Sequence, residues 1–120
     1  MAIISSVVVA AVALLHVYIL VLEMFLWTSA RGRAVFGTDA EFARASAPLA
    51  ANQGLYNGFL AAGLFWGLIA GDPVGFAVKV FFLSCVIIAG IYGAATVNRR
   101  ILYVQSLPAA VGLILVLFTR

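Results

Sequence analysis

The sequence predicts an all-α membrane protein: a four-transmembrane-helix bundle with short loops and an amphipathic cytoplasmic extension before the second helix. Three observations carry this. Of the 120 residues, 66% are hydrophobic and 9% are charged, whereas an ordinary soluble domain carries about 25% charged residues. A soluble chain this short has too little interior to hide so much apolar surface. The apolar residues also fall into four runs, each near the ~20 residues that cross a bilayer as helix, with brief polar breaks between them.

The expected helices cover about 2–28, 39–70 with a kink near 48, 73–97 and 101–119, in one domain over 1–120. Barrel strands are excluded, because the runs lack period-two alternation and are about twice too long. The first run has no Lys or Arg before it, exceeds the apolar core of a signal peptide and contains Glu23. It therefore reads as a retained transmembrane helix, although Thr28-Ser29-Ala30 faintly resembles a cleavage site.

Only the first connection has room for structure of its own. Within it, Thr38-Asp39-Ala40-Glu41 reads as a capping box, with Thr38 capping a backbone N–H and Glu41 reaching back. Helix two then starts near Asp39, outside the membrane, and Pro48 kinks it on entry. Gly71-Asp72-Pro73 is a tight turn that makes helices two and three antiparallel neighbours, and Asn98-Arg99-Arg100 is nearly as short.

Orientation follows from the basic residues. Arg31, Arg33, Arg44, Arg99 and Arg100 lie on the side of the first and third loops, against Lys79 and Arg120 toward the other. The bias places those loops in the cytoplasm and both termini outside, for a multi-pass protein of the bacterial inner (cell) membrane. Trp27 and Phe36 mark the cytoplasmic interface and Trp66 the opposite one.

The polar residues inside the apolar runs are the candidate site. Asn52-Gln53-Gly54-Leu55-Tyr56-Asn57-Gly58 sets three amides and a phenol where a lipid-facing helix requires none, so these groups need partners within protein. Glu23 is the one carboxylate inside an apolar run. On helix one, His16, Leu20, Glu23 and Trp27 follow spacings of 4, 3 and 4, a single helical face. From the rise per residue, Glu23 is about 6 Å inside the interface, Asn52 and Gln53 about 5 Å, Asn57 about 12 Å and Gln105 about 6 Å, with His16 another ~10 Å deeper than Glu23. Glu23, Asn52, Gln53, Asn57 and Gln105 are therefore expected to share one layer in the cytoplasmic half. Tyr56 and Tyr103 are near enough to join it.

A carboxylate in a low-dielectric site is neutral unless amides or a cation stabilise its charge. Such a layer suits a cation, a proton, or an ammonium- or hydroxyl-bearing ligand. The bland alternative is that Glu23 and the amides staple the helices together, at roughly 0.6–2 kcal/mol per hydrogen bond. His16 is either a hydrogen-bonded midplane histidine or a relay partner of Glu23. It lacks the further ligands that a zinc site needs. Lys79 is read as snorkelling to the outer interface. Gly54/Gly58, Gly63/Gly67 and Gly90/Ala94 are small-residue ridges for close helix packing.

Other chemistries lack support. The single cysteine, Cys85, excludes an intramolecular disulfide and a cysteine-based zinc cluster. A net charge of +3, scattered along the chain, points away from nucleic acid. No phosphate-binding glycine loop, catalytic triad or metal-spaced carboxylate pair is present, so no catalytic residue, metal ligand or cofactor is specified.

The residues His16-Val17-Tyr18-Ile19, Leu22-Glu23-Met24-Phe25-Leu26-Trp27, Phe36-Gly37 and the helix-two stretch Asn52 to Leu64 form a pattern. Ala89-Gly90-Ile91-Tyr92-Gly93 and Gln105-Ser106-Leu107-Pro108 extend it. Across its whole length the chain resembles a bacterial family of small four-helix membrane proteins, domain of unknown function 1304. The resemblance implies four helices in the inner membrane and no established activity. In that family an acidic residue often precedes the histidine. Here that position is Leu15, which weakens a relay built on two carboxylates.

A more distant likeness is to the membrane-bound eicosanoid and glutathione enzymes. It lies in Arg99-Arg100-Ile101-Leu102-Tyr103. The asparagine–glutamate pair of their second helix is absent, since Asn52 is followed by Leu55 and Asn57 by Leu60.

Three functional expectations follow, in this order. The first is a protein that binds or transports a small molecule or ion at the Glu23 layer. The second is a structural or regulatory membrane subunit without a ligand. The third is a glutathione-type membrane enzyme that holds an anionic cosubstrate with Arg99 and Arg100. The expected partners are the lipid bilayer and further copies of the chain in a homo-oligomer, because the glycine ridges offer more packing faces than one bundle needs.

Overall fold

A computed structural model describes residues 2–119. Among them the fold is all-α, with five α-helices and no strand: α1 (Ala2–Met24), α2 (Ala30–Phe36), α3 (Ala40–Ile69), α4 (Val74–Thr96) and α5 (Leu107–Phe118). A π-helical segment, Leu102–Ser106, leads into α5. Two of the helices, α1 and α4, are long and apolar enough to cross a membrane. By that measure four spans are not established. The apolar part of α3 is interrupted by Asn52, Gln53 and Asn57, and the last helical stretch, Leu102–Phe118, is shorter. Arg120, part of the orientation argument, lies outside the described residues.

The chain divides into two compact units, one of residues 1–14 and 60–120, the other of residues 15–59. In the first, a core of Val9, Val12, Leu64, Leu83, Val86 and Ala109 is buried. Glycines set the helix approach there. Added Cβ atoms at Gly63 and Gly67 would meet Phe82 and Lys79 respectively, so α3 and α4 run antiparallel on either side of the Gly71-Asp72-Pro73 turn. Asp72 Oδ1 accepts the Phe76 N–H at 3.1 Å and closes the start of α4. Gly90 packs on Ser106 and Gly93 on Ile101, which makes α4 and α5 antiparallel as well. Ser106 Oγ donates to the Ile87 carbonyl at 2.8 Å. The π-helical turn has a local cause in Pro108, which has no N–H to give Val104. The ladder widens instead, with the Leu107 N–H donating to the Leu102 carbonyl.

The second unit departs from expectation in three places. Helix one ends at Met24 rather than near Thr28, because the N–H groups of Phe25 and Leu26 both close on the Val21 carbonyl (3.0 and 3.1 Å) and Ser29 then opens a new helix. Ser29 Oγ accepts the Gly32 N–H at 3.1 Å, a standard N-cap. Trp27 therefore sits in a turn and does not extend the His16–Glu23 face.

The short helix α2 was not expected. Its end is legible in hindsight: Gly37 is left-handed at φ 68°, and the Thr38 N–H reaches back to the Arg33 carbonyl at 3.1 Å, the Schellman closure that glycine permits. The third departure concerns the start of α3. Asp39, not Thr38, is the cap: its Oδ1 accepts the Phe42 N–H at 2.7 Å. With Ala40 as the first helical residue, Asp39 occupies the position whose side chain can reach the third N–H. Thr38 Oγ1 is buried without a hydrogen-bond partner. Helix α3 then continues through Pro48 to Ile69.

Candidate functional site

The site lies in the 15–59 unit, where the end of α1 packs antiparallel to the middle of α3. An added Cβ at Gly54 would lie 2.6 Å from Met24 Cγ and 3.1 Å from Glu23 Cβ, and one at Gly58 2.8 Å from Leu20 Cδ1. The two glycines bring the helices close enough for short polar side chains to meet. There Asn57 Nδ2 donates to Glu23 Oε1 at 2.6 Å. Glu23 is 8% exposed and Asn57 5%, so the bond is shielded from solvent and strong for a neutral donor with a carboxylate. His16, seven residues before Glu23 and thus on the same side of α1 about 10 Å along its axis, is fully buried.

The buried stripe of α3 in this unit is Ala43, Ala50, Gly54 and Asn57, spaced 7, 4 and 3 along one face. Of the three expected amides, Asn57 alone lies on it. Asn52, Gln53 and Tyr56 are exposed, because residues five and one before Asn57 point well around the helix and Gln53 falls at the edge of the stripe. The structure thus brings Glu23 and Asn57 together and leaves Asn52, Gln53 and Tyr56 outside the pair. Tyr56 packs edge-on against Phe59, with ring centroids 5.7 Å apart. Gln105 belongs to the other unit, half-buried in the π-helical turn. Tyr103 is exposed there.

Several polar contacts of this unit were not legible. Trp27 Nε1 donates to Ser46 Oγ at 3.0 Å, and its ring packs at a tilt against Phe36, with centroids 4.9 Å apart. Arg31 donates to the Tyr18 hydroxyl through Nε (3.0 Å) and Nη2 (2.7 Å), so Tyr18 is a docking point for α2 as well as a packing residue. The Arg31–Tyr18 and Trp27–Phe36 contacts depend on α2 lying beside the end of α1. Ser29 before a helix-forming run was the available signal for that helix. Among the described residues no group of His, Cys, Asp and Glu is arranged to hold a metal ion.

Comparison with known proteins bears on family and not on activity. The chain is 30% identical over 116 residues to the protein described as uncharacterized protein YpaA of Lactococcus lactis subsp. lactis (strain IL1403), covering 95% of this chain and 97% of that protein. No solved structure matches. The model of the family described as protein of unknown function (DUF1304) matches residues 10–117. Nearly the whole chain, including Glu23 and Asn57, falls within that match, and the chain belongs to the DUF1304 family.

Proposed function

We propose that this chain is a four-span protein of the inner membrane whose Glu23–Asn57 pair binds a cation, a proton or a small ligand that carries positive charge. The observation behind the reading is the buried carboxylate itself. Its bonded neighbour is a neutral amide, so the pair carries no cation to match an ionised Glu23. A carboxylate in hydrocarbon is costly unless its charge is matched. His16 is buried on the same helix face, about 10 Å away along α1.

The experiment compares wild type with Glu23→Gln in detergent, reading thermal unfolding against Na⁺, K⁺, Li⁺ and pH. A wild-type transition that moves with one of these, and a variant transition that does not, is the expected result. Superimposable profiles for both chains would end the reading in favour of a structural subunit. That second reading has its own support in the tight glycine packing around the pair, which suits a staple between helices.

The proposed topology puts loops one and three in the cytoplasm. Cysteine labelling at Thr38 and Asp72 in a Cys85→Ser background tests it, and periplasmic labelling of Thr38 in intact cells would reverse it. The chain is further proposed to self-associate through α3, where Leu49, Asn52, Gln53, Tyr56 and Phe59 are exposed along one face. Carboxamides both donate and accept, so two copies of that face complement each other.

A further inference from the structure

We propose a second binding site, in the 1–14 and 60–120 unit, for a small zwitterion that carries an acid group and an ammonium a few bonds apart. The site is a cavity of about 120 Å³ lined by Ser5, Ser6, Asp72, Phe76, Lys79 and Thr119 among others. An apolar cavity of ~150 Å³ accommodates a benzene, so this space admits a molecule of that order. Its walls differ from an apolar void. Three hydroxyls, one carboxylate and one ammonium border it, and Ser5 is 4% exposed.

Lys79 brings an ammonium to the border of this cavity, as a lysine that packs its stem and extends its head can. Its stem crosses α3 at Gly67, where an added Cβ would lie 2.6 Å from Lys79 Cγ. Asp72, in the turn before α4, and Lys79, within α4, both border the cavity, as does Phe76. Asp72 Oδ1 is bonded to the Phe76 N–H, and no ion pair joins Asp72 to Lys79 among the described residues. Opposite charges that border one cavity without meeting each other fit a ligand that presents both. Its acid group meets Lys79 and its ammonium meets Asp72. The Thr119 hydroxyl donates to the Leu115 carbonyl at 2.6 Å, so toward a ligand its oxygen serves as an acceptor, the role an ammonium needs.

Two sources share this chemistry: a free amino acid, and the headgroup of an ethanolamine phospholipid. The test uses the full chain in detergent, with glycine, β-alanine and phosphoethanolamine as probes and acetate and ethylamine as single-charge controls, read by thermal shift and calorimetry. At least one zwitterion is expected to raise the transition temperature where neither control does. Lys79→Gln and Asp72→Asn are each expected to weaken that binding about 10-fold, the loss of one charge-assisted hydrogen bond. Glu23→Gln should leave it unchanged, so failure here and failure at the Glu23 site are separable. Circular dichroism of the two variants without probe checks that they fold. If they do not, Ser6→Ala is substituted and read the same way.

Nanodiscs distinguish the sources. Loss of free phosphoethanolamine binding in ethanolamine lipid, but not in phosphatidylglycerol, assigns the lipid. Retention in both assigns the free molecule. Equal shifts with acetate alone, no shift with any zwitterion, or full binding by Lys79→Gln would each overturn the proposal.

Discussion

Asn57 and Glu23, 34 residues apart in sequence, are joined by a 2.6 Å hydrogen bond that ties the last turn of α1 to the middle of α3. Both side chains are almost wholly buried. Removing one partner leaves the other's polar atoms without a bond, and removing both does not.

Glu23→Leu and Asn57→Leu are therefore each expected to lower stability by about 1–3 kcal/mol. The double substitution should cost less than the sum of the two. Glu23→Gln keeps volume and hydrogen bonding and should stay within about 1 kcal/mol of wild type. Unfolding of the four chains in one detergent forms a double-mutant cycle, and additive losses would show that the pair is not coupled.

At the start of α3, Asp39→Ala should cost about 1 kcal/mol as a lost cap. Thr38→Val should be neutral or stabilising, because it removes a buried hydroxyl that has no partner and keeps the shape. A capping role for Thr38 would produce the reverse order in thermal unfolding.

The glycines separate into those that face atoms and those that do not. At Gly32 an added Cβ would overlap the backbone carbonyl oxygen of Leu26, whereas at Gly71 nothing lies within 4 Å. Gly32→Ala should lose about 2–3 kcal/mol, and Gly71→Ala should change stability by less than about 0.5 kcal/mol. Gly37→Ala meets no neighbour, but its φ of 68° makes a loss of about 1 kcal/mol the expected result.

Asn52→Leu combined with Gln53→Leu should shift the chain toward monomer in native mass spectrometry, while leaving helix content unchanged. Conversely, Gln53→Cys in the Cys85→Ser background should cross-link between copies. A wild-type chain that is monomeric across several mild detergents removes the basis for that interface.

Arg31→Lys tests the docking of α2. The guanidinium bonds the Tyr18 hydroxyl through two nitrogens, a fork that lysine cannot reproduce. Hydrogen exchange in residues 30–36 should rise, with the rest of the chain unaffected. Equal protection in the variant would show that α2 is held by its packing alone.

The all-α class, the apolar helices α1 and α4 and the prominence of Glu23 follow from the sequence, because apolar run length is a property of the linear chain, whereas the end of α1 at Met24 and the short α2 do not. The family follows too, since its motifs lie along the whole length. The azimuth of α3 does not. When a helix is apolar on nearly every side, hydrophobic periodicity no longer marks the inner face. Asn52, Gln53 and Asn57 are then equivalent partners for Glu23, until the closeness of Gly54 and Gly58 to α1 selects Asn57. The contact of the Lys79 stem with Gly67, and the α2 that carries Arg31 to Tyr18, are likewise products of packing between elements. They depend on which backbones approach closely enough to meet, and tertiary contact alone decides that.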